Sequence, residues 1–270
     1  MIIFMMFNKR KRMKTKYKTI IVAIILLIGL TVIYYYFKDE KVKVLKEYNN
    51  SCQLIGTNEY VLRSGDTIMH GKFVNYNESG IKISEGQFVD NEPFGMCSYY
   101  DDNGNIEAIH FRKNSKITLE SKFFNAEGLL EKYAMYDDFG KSAFIISFDK
   151  KGVTKYDGYP QLEVYQYRFS NKKQYNIVED QNLKVGDTLK YSYLVANIPN
   201  TKRNFTIENL SIDNEKVKRI LKNVPPTQID VKEVLTKKGK NTIRSIVRYE
   251  FNDNVTPVFT DTLSFDVEVH

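Results

Sequence analysis

The sequence predicts a mainly β protein in three parts. These are a single transmembrane helix near the N-terminus, an antiparallel repeat sheet of strand–turn units about twelve residues long, and a C-terminal β-sandwich. Three observations predict it. An uncharged run follows a purely basic tail. Glycines then recur at a fixed interval behind aromatic residues. The last third of the chain alternates apolar and polar residues in short runs split by turn formers. Composition agrees: aromatics make up 13% of the 270 residues, all Tyr and Phe, and these favour strands.

The tail, residues 1–18, carries Lys9, Arg10, Lys11, Arg12, Lys14, Lys16 and Lys18 and no acid. It runs into "TIIVAIILLIGLTVIYYYF", residues 19–37. As a helix that run spans roughly 28 Å, close to the hydrocarbon thickness of a bilayer. Tyr34, Tyr35 and Tyr36 at one end suit an aromatic belt, and the bases at the other suit a cytoplasmic flank. The expectation is a single-pass signal-anchor with its N-terminus in the cytoplasm. Residues 38–270 would lie outside, facing the periplasm or exterior of a bacterial envelope. A cleaved signal peptide is the alternative, against which stand the length of the run and the missing A-x-A site. Setting aside the tail's bases leaves 33 bases against 33 acids. That body has no basic footprint, so no nucleic-acid partner is expected.

Residues 38–60, "KDEKVKVLKEYNNSCQLIGTNEY", read as a juxtamembrane stalk. The cysteines Cys52 and Cys97 have no metal-ligand spacing. An extracytoplasmic site would permit a Cys52–Cys97 disulfide; two free thiols fit the sequence equally well.

Repeat units fill residues 61–159. Glycines fall at Gly80, Gly104, Gly128, Gly140 and Gly152, and the skipped places lie in "DNEPFG" and "RKNSKI", which also read as turns. Four residues before each turn centre stand Tyr76, Phe88, Tyr100, Arg112, Phe124, Tyr136 and Phe148. Six of these seven are aromatic, where the 13% composition gives about one. Each copy, such as "SYYDDNGNI" at 98–106, is a strand ending in an aromatic and then a polar turn. Glycine supplies positive φ there, and Asn or Asp caps it. Neighbouring hairpins must bury a shared face, since one hairpin alone is marginal. The aromatic ladder is expected chiefly as core; any exposed part could hold a peptide edge or a sugar ring. A calcium loop is excluded by spacing: counted from Asp101, Gly104 is at position 4 and position 12 is Arg112. The pairs Asp101–Asp102 and Asp137–Asp138 read as solvated turns, because successive strand residues point to opposite faces.

"EGQFVDNEPFGMCSYYDDNG", residues 85–104, resembles a MORN repeat. Gly86, Phe88, Gly95 and Tyr99 fit that pattern, while Cys97 replaces its second paired glycine. The resemblance covers about residues 65–158, and the degenerate copies are similar to the antitoxin-like variants of bacterial proteins. It implies a long twisted sheet of hairpins whose relatives mostly bind proteins or lipids. It fixes no binding residue.

Residues 160–270 predict the sandwich. "LEVYQYRF" at 162–169 alternates, and "GDTLKYSYLVANIP" puts Leu189, Tyr191, Tyr193 and Val195 on one face. "RNFTIENLSI" offers Phe205 and Ile207, and "NEKVKRILKNV" reads as a short helix or a ragged strand. "TQIDVKEVL", "NTIRSIVRYEF" and "DTLSFDVEVH" follow as strands. About seven short strands is the signature of an Ig-like β-sandwich. The last two resemble the closing strand pair of bacterial immunoglobulin-like domains, without the Cys–Trp–Cys core.

No catalytic fingerprint appears, and His70, His110 and His270 lie in different segments. The expected protein is therefore a membrane-anchored, non-enzymatic scaffold for protein partners, with no cofactor or metal. The alternatives are an envelope glycan- or lipid-binding module and an antitoxin- or immunity-like protein.

Overall fold

The structure, a computed structural model, describes residues 20, 22, 24–29, 41–164, 182–253 and 255–270. Among them, no helix is long and apolar enough to cross a membrane. This overturns the single-span expectation and, with it, the signal-anchor and the placement of residues 38–270 outside the cytoplasm. The nineteen uncharged positions state which solvent the segment prefers, and the described residues among them supply no spanning helix. The basic tail 1–18 and the rest of 19–37 lie outside the described residues.

Residues 43–158 form one antiparallel sheet. Its strands are β1 (Lys43–Tyr48), β2 (Leu54–Arg63), β3 (Asp66–Tyr76), β4 (Lys82–Val89), the two-residue β5 (Glu92–Pro93), β6 (Gly95–Tyr100), β7 (Ile106–Arg112), β8 (Thr118–Phe124), β9 (Leu130–Tyr136), β10 (Ser142–Asp149) and β11 (Gly152–Gly158). They lie side by side in chain order, except that β5 folds back on β4 and β6 takes the next place. Short turns allow nothing else: a two- to five-residue connection can only return the chain beside itself.

One turn recurs at Asn49, Asn77, Asp101, Asn125 and Asp137. In each, the side-chain oxygen accepts from the backbone N–H groups two and four residues on, at 2.8–3.0 Å. Its own carbonyl accepts from the residue three on. That third residue has positive φ: Gly80, Gly104, Gly128, Gly140 and, in the first copy, Cys52 at 59°. The expected stalk is thus corrected. Residues 43–60 are β1, a turn and β2, missed because a cysteine stands where the other copies have glycine.

The aromatic ladder takes an unexpected place. Successive strands reverse, so Tyr76, Tyr100, Phe124 and Phe148 end strands at one end of the sheet, and Phe88 and Tyr136 lie toward the other. All six are half-buried. Register shifts fall at Asn75/Tyr76, Tyr99/Tyr100, Phe123/Phe124 and Ser147/Phe148, and also at Phe111/Arg112, the non-aromatic copy. In those five copies the repeated position is a bulge before a turn, and none of the six aromatics is fully buried, although Phe148 packs against the core cluster. The buried positions come from the strand interiors. One face carries Phe73, Cys97, Ala108, Ser121 and Ala134; the other carries Tyr133, Met135, Phe144 and Ile146.

The sandwich has strands β12 (Gln161–Val164), β13 (Thr188–Val195), β14 (Thr201–Asn209), β15 (Arg219–Val224), β16 (Gln228–Val234), β17 (Gly239–Phe251) and β18 (Phe259–Val269). One sheet runs β12-β13-β16-β15 and the other β14-β17-β18. Lettered in chain order these are A-B-E-D and C-F-G, the order of constant-type immunoglobulin sandwiches. "NEKVKRILKNV" holds both elements, a 3-10 turn at Asn214–Lys216 capped by Asp213 and then β15. Of the strand expected at 162–169, residues 165–169 lie outside the described residues.

The two expected domains share one core. Tyr133, Met135, Phe144 and Ile146 of the repeat sheet belong to the same buried cluster as Leu189, Tyr193, Val195, Val247, Tyr249 and Phe265. The Tyr133 hydroxyl accepts from the Asn197 N–H at 2.7 Å, and the Phe144 ring stacks on Phe259 with centroids 6.0 Å apart. Each such side chain contributes roughly 1.5–3 kcal/mol on burial, so the shared cluster ties the sheet to the sandwich.

Candidate binding groove between sheet and sandwich

Strand alternation builds the floor of a groove. On the sheet face that meets the sandwich, Met96 pairs with Phe111 and Phe111 with Glu120; beside them Ile109 pairs with Lys122. The sandwich closes the other side with Asn197, Arg203, Gln228 and residues 223–226, which include the cis Pro225–Pro226 bond. The groove, open to solvent, has a volume of about 350 Å³.

The floor is charged. Glu120 is buried, only 5% exposed, with the Lys122 ammonium 3.5 Å from its Oε1. Burial pushes the Glu120 carboxyl up from the usual range, against the opposing pull of Lys122 and Arg203. Arg203 Nη1 donates to the carbonyls of Val195 at 3.1 Å and Ala196 at 3.4 Å. Among the described residues no carboxylate lies within ion-pair range of Arg203. Met96 is 61% exposed, and beyond the lining the exposed Phe94 ring rests 6.5 Å from that of Phe111.

None of the residues singled out from the sequence lines this groove. Phe148 and Gly152 instead line a wider depression of about 930 Å³ with Leu129, Asn200 and Phe251. Phe88 packs on Phe73 with centroids 4.8 Å apart. Tyr100 donates to Glu85 and carries the Lys82 ammonium over its ring at 4.3 Å. Gly80, Gly104, Gly128 and Gly140 are turn residues. Cys52 is exposed and Cys97 buried, and both are free thiols, so the possible disulfide does not form. Glu120, Lys122 and Arg203 were the residues missed. Their signal was modest: in "TLESKFF" the acid and the base stand two apart, hence on one strand face, where a solvated pair is the ordinary reading.

The opposite sheet face holds the nearest approach to a nucleophile–base pair. His110 Nδ1 lies 2.7 Å from Ser121 Oγ, between the rings of Tyr99 and Phe123. Ser121 is 1% exposed, so its hydroxyl is shut away from any substrate. Burial, helped by Arg112, holds the His110 pKa below its usual value. His70 sits instead at an exposed hairpin end, 3.1 Å from Asp90, which Arg63 also pairs. Among the described residues no three or more His, Cys, Asp or Glu side chains group to hold a metal.

The sequence matches no family model and no curated protein. Solved structures to which it is similar include TarM, at 12% identity and a TM-score of 0.21, and an S. aureus TarM variant in complex with fondaparinux, α-GlcNAc-glycerol and UDP, at 10% and 0.22. Each alignment covers 48% of this chain and 21% of the other, so the chain spans about a fifth of the length of the chains it matches. Likeness at that level carries no argument about fold or activity.

Proposed function

We propose that this chain is a non-enzymatic interaction module, a scaffold on which a partner protein docks at the junction of repeat sheet and sandwich. The observation that carries this reading is the junction groove itself. Exposed Met96 and Pro225, with Phe111 and Ile109, line it together with Glu120, Lys122 and Arg203, so apolar contact area and a few oriented charged groups stand side by side, as in ligand and peptide sites. The shared core holds both walls in fixed relation, so little ordering entropy is lost on binding. The MORN resemblance supports the same reading, since such repeats mostly bind other molecules. Photo-crosslinking tests it. A photoreactive residue at Met96 is expected to capture one discrete partner protein in cells. The same residue at Val44, exposed on the outer strand β1, is expected to capture none. Equal capture at both positions, or none at Met96, overturns the reading.

A further inference from the structure

The groove brings together two cations, Lys122 of the floor and Arg203 of the sandwich wall, and one buried anion, Glu120. The backbone carbonyls that fix Arg203 orient its guanidinium without neutralising it. Lys122 is shared with a carboxyl that burial already disfavours as an anion. Asp230, the acid that the groove-lining Gln228 binds, is taken up by Ser192 and Gln228 at 2.7 Å each and pairs across the ladder with Lys222. The groove therefore carries a net positive charge with fork-shaped donors beside Phe111, Ile109 and Met96. A volume of about 350 Å³ is at the small end of ligand sites and holds one or two side chains, not a folded element.

From this geometry we infer that the groove takes a peptide segment of the docking partner in which a carboxylate stands beside an apolar residue. The carboxylate meets Arg203 and Lys122, and the apolar side chain lies on Phe111 and Met96. This rests on the docking reading above and adds the chemistry of the partner. A guanidinium–carboxylate pair out of bulk water is a charge-assisted, oriented bond, so the acid sets register while the apolar contact supplies area.

The test uses the full chain labelled with ¹³C at its Met and Ile methyl groups. The probes are acetyl-Gly-Leu-Asp-Gly-amide, its Asn counterpart, acetyl-Gly-Gly-Leu with a free C-terminus, and phenylacetate. Saturable shifts at Met96 and Ile109 are expected with the two acid-bearing peptides and about tenfold weaker binding with the Asn peptide, the loss of one charge-assisted pair. Arg203→Gln is expected to weaken the acidic peptides about tenfold and leave the Asn peptide unchanged. Lys122→Gln, at a half-exposed position, does the same more weakly and guards against misfolding of the first variant. Equal binding of Asp and Asn peptides, or no shift with either acid, overturns the inference. Phenylacetate binding as tightly as the peptides also overturns it, by assigning the groove to a free small acid. If the acidic peptides fail while Met96 still crosslinks a partner, this inference falls and the docking reading stands. Failure of the crosslink as well removes both.

Discussion

Arg219 and Glu233 form an ion pair inside the sandwich. Arg219 Nε donates to Glu233 Oε2 at 2.8 Å, and Nη2 lies 2.8 Å from the same oxygen without making a second hydrogen bond. The pair crosses from β15 to β16, and Arg219 Nη1 reaches over to the carbonyl of Ile207 on β14 in the other sheet. Tyr191 Oη and Asn209 Nδ2 donate to the same carboxylate, at 3.0 and 3.3 Å. The disulfide that pins antibody domains has no counterpart here, and this network links the two sheets in its place.

Removing Arg219 leaves the Glu233 carboxylate, 1% exposed, without its counter-charge. Arg219→Ala is therefore expected to destabilise the protein by about 3–5 kcal/mol, measured by urea denaturation. A cost under about 1 kcal/mol would assign the pair the value of an exposed surface bridge and refute the link between the sheets.

Gly86 and Cys97 form a second tight pair. A β-carbon added at Gly86 would stand 2.8 Å from the Cys97 sulfur and 2.8 Å from the Phe73 ring. Gly86→Ala is expected to cost about 1–3 kcal/mol by overpacking, and less in a Cys97→Ala background, where only Phe73 opposes the methyl. A double-mutant cycle reads the coupling. Strictly additive costs would mean that the sulfur is not what excludes the side chain.

Cys52 holds φ at 59° in the turn position that glycine fills in four other copies. A left-handed residue with a β-carbon is strained by about 1–2 kcal/mol, and glycine returns part of that as unfolded-state entropy. Cys52→Gly is thus expected to raise stability by about 0.5–1 kcal/mol in thermal denaturation. A loss of stability would show that the thiol contributes through contacts of its own.

Those turns also show what could be read from the chain and what could not. Asn and Asp act on backbone groups two to four residues away, so the repeat, its period and its glycines were legible from local spacing. So was the alternation of β17, where Ile243, Val247 and Tyr249 are all buried as their parity requires. Three things were not legible. A bulge shifts parity at Tyr76, Tyr100, Phe124 and Phe148, and these rings are only half-buried where core positions were expected. A cysteine in the glycine place hid β1. The groove joins Glu120 to Arg203 across 83 positions of chain, and only packing of the sheet on the sandwich brings them together. The anchor failed for a different reason: an uncharged run states which solvent a segment prefers and does not by itself supply a spanning helix among the described residues.

The Asp101 turn supplies a pH test. The Asn105 side-chain amide donates to Asp101 Oδ2 at 3.1 Å, and the backbone N–H groups of Asn105 and Asn103 donate to Oδ1 at 2.8 and 2.9 Å. These bonds to the charged form hold the Asp101 carboxyl below the usual aspartate range. A carboxyl whose pKa falls on folding stabilises the fold above its unfolded value, near pH 4, and that contribution is lost as pH drops through the lower folded value. Asp101→Asn keeps the acceptor and cannot titrate. The thermal midpoint of the parent protein is therefore expected to fall further between pH 7 and pH 2.5 than that of Asp101→Asn, while Asp101→Ala starts lower at pH 7. Parallel pH profiles for the parent and Asp101→Asn would show that the turn is held by its backbone geometry and glycine alone, with the side-chain acceptor contributing nothing in its charged form.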